Sequence, residues 1–222
     1  MNLMAWTWET AGLRVLVVAV ALVIWFWTQK LIGQKAGGGD GIGDGIHDLT
    51  AKWHAWFAGH AHATDRALIL SSLCIDGFGI FLIVAAVFGP SCAPFLGVLI
   101  VFSLRQICQL NCPLPPPPGI LWRDPGFPTA LVTYGVGNDF FFSGHTALAV
   151  LGAIEICRLA PAWLAAIAVL IALGEALIVL ILRAHYTMDV VTGAFAAWFA
   201  ADLATRFAPM VDGWLGSLLR LS

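Results

Sequence analysis

Two histidines, two arginines and an aspartate carry the pattern of a phosphoryl-transfer site. His185 and Asp189 stand four residues apart, so a helix stacks them on one face. A carboxylate so placed can accept one imidazole N–H, fix the tautomer and leave the other nitrogen free to attack. His145 belongs to a separate segment and can face that nucleophile as the acid that protonates a leaving alkoxide. Arg105 and Arg183 can clamp phosphate oxygens and spread the charge that builds during transfer. Ser143 and Gly144 stand at a helix start, where backbone N–H groups favour an anion. Ser143 is also a natural N-cap.

Each residue alone has a plainer explanation. A histidine at a helix start is commonly an interfacial hydrogen-bonder, and a His–Asp pair four apart is often structural. The weight lies in their convergence, and convergence depends on the elements that hold them.

Those elements are read from composition. Of 222 residues, 60% are hydrophobic and 11% charged, with mean hydropathy +0.88; water would demand a far more charged surface. The net charge of −2 offers no basic field, so nucleic acid is not an expected partner. The expectation is an all-α integral membrane bundle of six transmembrane helices, at 11–29, 67–89, 94–111, 140–157, 162–182 and 187–207, forming one domain over 1–222. The glycine-rich stretch 33–46 reads as a linker, followed by a short interfacial helix from His47 to His62 with Trp53, Trp56 and Phe57 dipping into lipid. Its histidines, His47, His54, His60 and His62, fit no common metal spacing and read as interfacial polar groups. No metal or other cofactor is expected. The five cysteines, at 74, 92, 108, 112 and 157, read as small apolar residues.

Between spans three and four, residues 112–138 carry Pro113 and the run Pro115 to Pro118, which cannot continue a helix. This segment reads as a stiff flap over the polar motif that follows it. Six crossings place the end of span three, the start of span four and the start of span six on one membrane face. Arg105, the Ser143–Thr146 segment and the Arg183–Asp189 segment therefore share one depth, where ionisable residues are costly unless they function. Glu175 lies in mid-span and is left outside the site, Glu155 and Asp202 look like span-end residues, and Asp76 has no assigned role.

The segments FFFSGHTALAV (140–150) and AHYTMDVV (184–191) resemble the two signature segments of the sphingomyelin synthase-related proteins, a branch of the type 2 phosphatidic acid phosphatase superfamily. Asp139 matches the acidic residue ahead of S-G-H-T, and Arg105 precedes Leu114, Pro115, Pro116 and Pro117 at the family's nine-residue spacing. Arg183, two residues before the second histidine, matches some plant and protozoan members. The resemblance covers roughly 100–195. The Lys-and-Arg-Pro segment of the ordinary phosphatases is missing, which favours the synthase-like branch.

The resemblance implies a phosphohistidine at His185, Asp189 as its orienting partner, His145 as acid and then base, and Arg105 on phosphate. Asp139, Thr146 and Tyr186 would support the site. The substrates implied are phospholipids and lipid alcohols, within the bilayer. If a lipid alcohol is the acceptor, the enzyme is a headgroup phosphotransferase; if water is, it is a lipid phosphatase or phospholipase C-like hydrolase. A non-catalytic lipid-phosphate binder or transporter is the rival from another class. Basic residues flank both faces, so the exoplasmic or periplasmic placement of the site rests on the resemblance.

Overall fold

The computed structural model describes residues 8–33, 42–132, 134 and 140–219, and every regular element among them is a helix. Eight are present: α1 (Trp8–Gly33), α2 (Gly45–Leu49), α3 (Ala51–Gly59), α4 (Ala61–Phe88), α5 (Ala93–Asn111), α6 (Gly144–Leu159), α7 (Ala162–Ile181) and α8 (Thr187–Leu219). Residues 34–41 of the glycine-rich segment, and Asp139, lie outside the described residues.

Helices α1, α4, α5 and α7 are long and apolar enough to cross a membrane, a set of four among the described residues. The expectation of six rested on α6 and α8 as well. Helix α6 has 16 residues, about 24 Å of helix against a hydrocarbon core of about 30 Å. Residues 140–143, expected to begin that span, precede the helix and run outside it. Helix α8 is longer than expected, with 33 residues running past 207 and through Pro209. Its extension is anchored at Asp212, which accepts from Ser91 Oγ at 2.8 Å and from the Cys92 amide at 3.1 Å and pairs with Arg14. These contacts offset the hydrogen bond that the proline forfeits.

Helix α6 is the central element, packed against α7, α8 and α4. Its Ala147, Ala149 and Leu151 are fully buried. Helix α8 meets it and α5 along Ala197, Ala200, Ala201, Ala204 and Ala208. Small residues at this spacing let backbones approach closely, the usual route to helix packing where lipid supplies no hydrophobic drive. The approach is tight at Gly193, where an added Cβ would stand 2.7 Å from the Ser143 carbonyl oxygen. That contact ties the start of α6 to the first turns of α8.

The interfacial segment is two short helices rather than one. Asp44 caps α2 through the amides of Ile46 and His47, and the same carboxylate accepts from the amide and hydroxyl of Thr187, the first residue of α8. Helices α2 and α3 are thereby fastened to the α7–α8 corner. The proline-rich segment is fastened to α4: Asp76, unassigned from sequence, accepts from the amides of Ala130 and Leu131, each at 2.8 Å. Glu175 accepts from Ser71 Oγ on α4 at 2.6 Å, a helix-to-helix contact away from the site.

Candidate functional site

Chain breaks and caps position the polar residues. Helix α5 ends at Asn111 because Pro113 follows Cys112, which leaves Arg105 in its last two turns. Ser143 starts α6: its hydroxyl accepts from the Thr146 amide, and Thr146 Oγ1 donates to it at 3.0 Å. His145 is thus held in the first turn of α6. Helices α7 and α8 join through a tight turn in which Arg183 takes a left-handed backbone, φ 53°. His185 lies in that turn.

These elements line a half-open cavity of about 330 Å³. Arg105, Gly144, His145 and His185 line it, with Trp122 and Pro116 from the proline-rich segment forming its roof. Four of the residues marked out in the sequence thus meet at one place. The Nδ1–H of His185 donates to the Phe140 carbonyl at 2.8 Å. That bond places a proton on Nδ1, so in the neutral ring the lone pair is on Nε2. The rings of His145 and Trp122 meet in a T-shaped contact, centroids 4.8 Å apart, and His145 Nε2 is buried without a hydrogen-bond partner among the described residues. Arg105 Nε donates to the Phe142 carbonyl at 2.7 Å, which orients the guanidinium. An added Cβ at Gly144 would lie 3.2 Å from that Nε, so glycine gives the arginine room.

Other marked residues hold the frame instead of the cavity. Asp189 is 1% exposed; its Oδ2 accepts from the Tyr186 amide at 2.9 Å and lies 3.8 Å from His185 Nδ1, beyond a hydrogen bond. The partner that fixes the His185 tautomer is a backbone carbonyl, and Asp189 braces the turn. Ser143 is a buried cap, and its amide donates to the Asp189 carbonyl. Arg183 donates from Nη1 to the Pro118 carbonyl at 2.8 Å, turned to the proline-rich segment rather than the cavity. The Tyr186 hydroxyl accepts from the Ile42 amide, and its ring stacks on His47. Asp139 lies outside the described residues.

Several contributors had no sequence signal. The His47 Nε2–H donates to the carbonyl of His185 itself, at 2.9 Å, and the His54 Nδ1–H to Ile181, also at 2.9 Å. Both histidines brace the turn that carries His185. For His54, burial lowers the pKa below 6.5, and Arg183 and His47 push the same way against the Ile181 hydrogen bond. Burial raises the pKa of Asp44, but the bonds from Thr187, Ile46 and His47 outweigh it and hold the carboxyl below 3.8. Trp25 and Gln29 of α1 complete the cavity wall. Among the described residues no group of three or more His, Cys, Asp or Glu is arranged to hold a metal ion.

An apolar all-helical bundle, with a half-open cavity that two imidazoles and a guanidinium share, defines a membrane protein with a polar site set among its helices. The chain belongs to the AtPDCT1/2 family, whose model matches residues 50–206. It is 27% identical over 117 residues to phosphatidylcholine:diacylglycerol cholinephosphotransferase 1 of Arabidopsis thaliana; the alignment spans 53% of this chain and 38% of that relative. No solved structure matches the chain.

Proposed function

We propose that this protein is a membrane phospholipid headgroup phosphotransferase that moves a phosphocholine-type group between a phospholipid and diacylglycerol. The observation that carries this reading is the cavity in which His185, its Nδ1 committed to Phe140, faces the same space as His145 and Arg105. The relative's printed activity agrees with it.

In the first half-reaction the Nε2 lone pair of His185 attacks phosphorus. The bond from phosphorus to the glycerol oxygen breaks, and protonated His145 gives its proton to that oxygen, releasing diacylglycerol. The N-phosphorylated imidazole keeps its Nδ1–H on the Phe140 carbonyl, and Arg105 balances the phosphoryl oxygens. In the second half, neutral His145 takes the proton of an incoming hydroxyl. That oxygen attacks phosphorus, and His185 leaves with its lone pair restored. The two-step chemistry is that of the sphingomyelin synthase-related proteins, to which the two histidine segments bear their resemblance. Arg105 and Gly144 contact the phosphate in this reading. Ser143, Thr146, Asp189, Tyr186 and Arg183 keep the two histidine-bearing turns in place. Helices α6 and α8 complete six crossings, and the cavity opens to the exoplasmic side.

Proteoliposomes holding the full chain, headgroup-labelled phosphatidylcholine, ceramide and a diacylglycerol of distinct acyl composition test this. Labelled phosphatidylcholine carrying the new acyl pair is the expected product. Label released to water without regard to acceptor would instead identify a hydrolase. Label moving only onto ceramide would identify a sphingolipid acceptor, and no movement at all would point to a non-catalytic binder.

A further inference from the structure

Helix α1 lies ahead of the family-matched residues, yet it supplies one wall of the cavity through Trp25 and Gln29. The two are four apart on one helical face. Gln29 is 4% exposed, and neither its carboxamide oxygen nor its nitrogen has a hydrogen-bond partner among the described residues. The Trp25 indole nitrogen is likewise buried and unpartnered. Buried polar groups are nearly always satisfied, and exceptions concentrate where a ligand supplies the missing bonds.

We propose that Gln29 and Trp25 bind the glycerol-ester end of the diacylglycerol unit, as leaving group in one half-reaction and as acceptor in the other. The proposal rests on the transferase reading. The groups are neutral, and their N–H donors match ester carbonyls, which only accept. Phosphate has its own cation in Arg105, on α5. A second, apolar crevice of about 170 Å³ between α1 and α5 begins at Trp25 and Phe102, residues it shares with the site, and continues along Leu22 and Val98. An acyl chain leaving the glycerol at Trp25 lies along this crevice. Because the reaction runs between two diacylglycerol units, one such site serves both directions.

Calorimetry on the full chain in nanodiscs separates the parts. Three probes are titrated into wild type, Gln29→Leu and Trp25→Phe: dioctanoylglycerol, its dialkyl-ether analogue without ester carbonyls, and free phosphocholine. Dioctanoylglycerol binding should weaken at least about tenfold in Gln29→Leu and severalfold in Trp25→Phe, while phosphocholine binding stays unchanged. The ether analogue should bind weakly and alike to all three proteins. Trp25→Phe keeps an aromatic ring beside Phe102 while removing the N–H, so it carries the test if Gln29→Leu does not fold. Unchanged dioctanoylglycerol affinity in a folded variant would overturn the assignment. So would a loss confined to phosphocholine. If wild type binds dioctanoylglycerol through Gln29 but moves no headgroup in proteoliposomes, the site stands and the transferase reading falls.

Discussion

The carbonyl of Phe140 receives the Nδ1–H of His185 at 2.8 Å. One residue of the non-helical stretch that leads into α6 thereby places a proton on Nδ1 of a histidine in the α7–α8 turn. The two histidine segments are locked to one another by backbone as well as by packing, because the Ser143 amide also donates to the Asp189 carbonyl at 3.0 Å.

The two histidines should therefore fail differently. In the proposed reaction His185→Ala removes the nucleophile and is expected to abolish both exchange and covalent labelling, a loss of about a thousandfold or more. His145→Ala leaves the nucleophile intact and should slow exchange by about 10²- to 10⁴-fold. Its residual labelling should be slow but detectable when a substrate with an acidic leaving alcohol replaces the phospholipid. Equal behaviour of the two variants with that substrate would contradict the division of roles.

Arg105 is oriented through Nε by the Phe142 carbonyl, an interaction that lysine cannot reproduce together with a second contact. Arg105→Lys should keep the charge and still lose about 10²-fold in exchange rate. Wild-type-like kcat/KM in that variant would show that charge alone suffices.

Asp44 caps α2 and also accepts from Thr187 at the head of α8. Asp44→Ala should destabilise the protein by about 1–2 kcal/mol, the range of a lost N-cap, and Asp44→Asn by clearly less. Because the folded carboxyl titrates below 3.8, its contribution is present above that pH and is lost as the pH falls through the folded value. Thermal unfolding in detergent at a series of pH values measures both effects; equal melting of the alanine variant and wild type would contradict the double cap.

His54 gives a second pH dependence. Its folded pKa lies below 6.5, so between those two values the detached segment binds a proton that the docked one does not. The stability of α3 on the α7–α8 corner should fall as the pH drops below about 6.5. Hydrogen exchange of residues 51–59, corrected for intrinsic rates, should speed up on going from about pH 7.5 to about pH 5.5. His54→Gln should remove that dependence.

Two glycines should respond oppositely to alanine. Helix propensity favours alanine by about 1 kcal/mol. At Gly174 of α7 nothing lies within 4 Å of the added Cβ, so that gain should appear as a higher melting temperature. At Gly193 the Cβ would stand 2.7 Å from the backbone oxygen of Ser143. Backbone cannot move aside as a side chain can, so overpacking of about 1–3 kcal/mol should outweigh the gain. Displacement of the α6 start should also lower exchange activity.

Much of this molecule was legible along the chain. Apolar runs located α1, α4, α5 and α7 to within a few residues at most ends, because lipid solvation is a property of composition over a window. Pro113 and the prolines after it marked the end of α5, since a missing N–H acts locally. The histidine segments and Arg105 stood out because polar groups in an apolar chain are conspicuous. The tertiary structure decided which of those polar groups face the cavity. Ser143, Asp189 and Arg183 have the same chemistry as residues that bind substrate, yet each is used by a nearby backbone amide, hydroxyl or carbonyl. The pairing of His185 with Phe140, of Asp44 with Thr187 and of Asp76 with Ala130 joins residues 45, 143 and 54 positions apart. Trp25 and Gln29 look like ordinary interfacial residues until α1 packs beside α5. A hydrogen bond depends on where atoms sit in space, and helix packing alone sets that position.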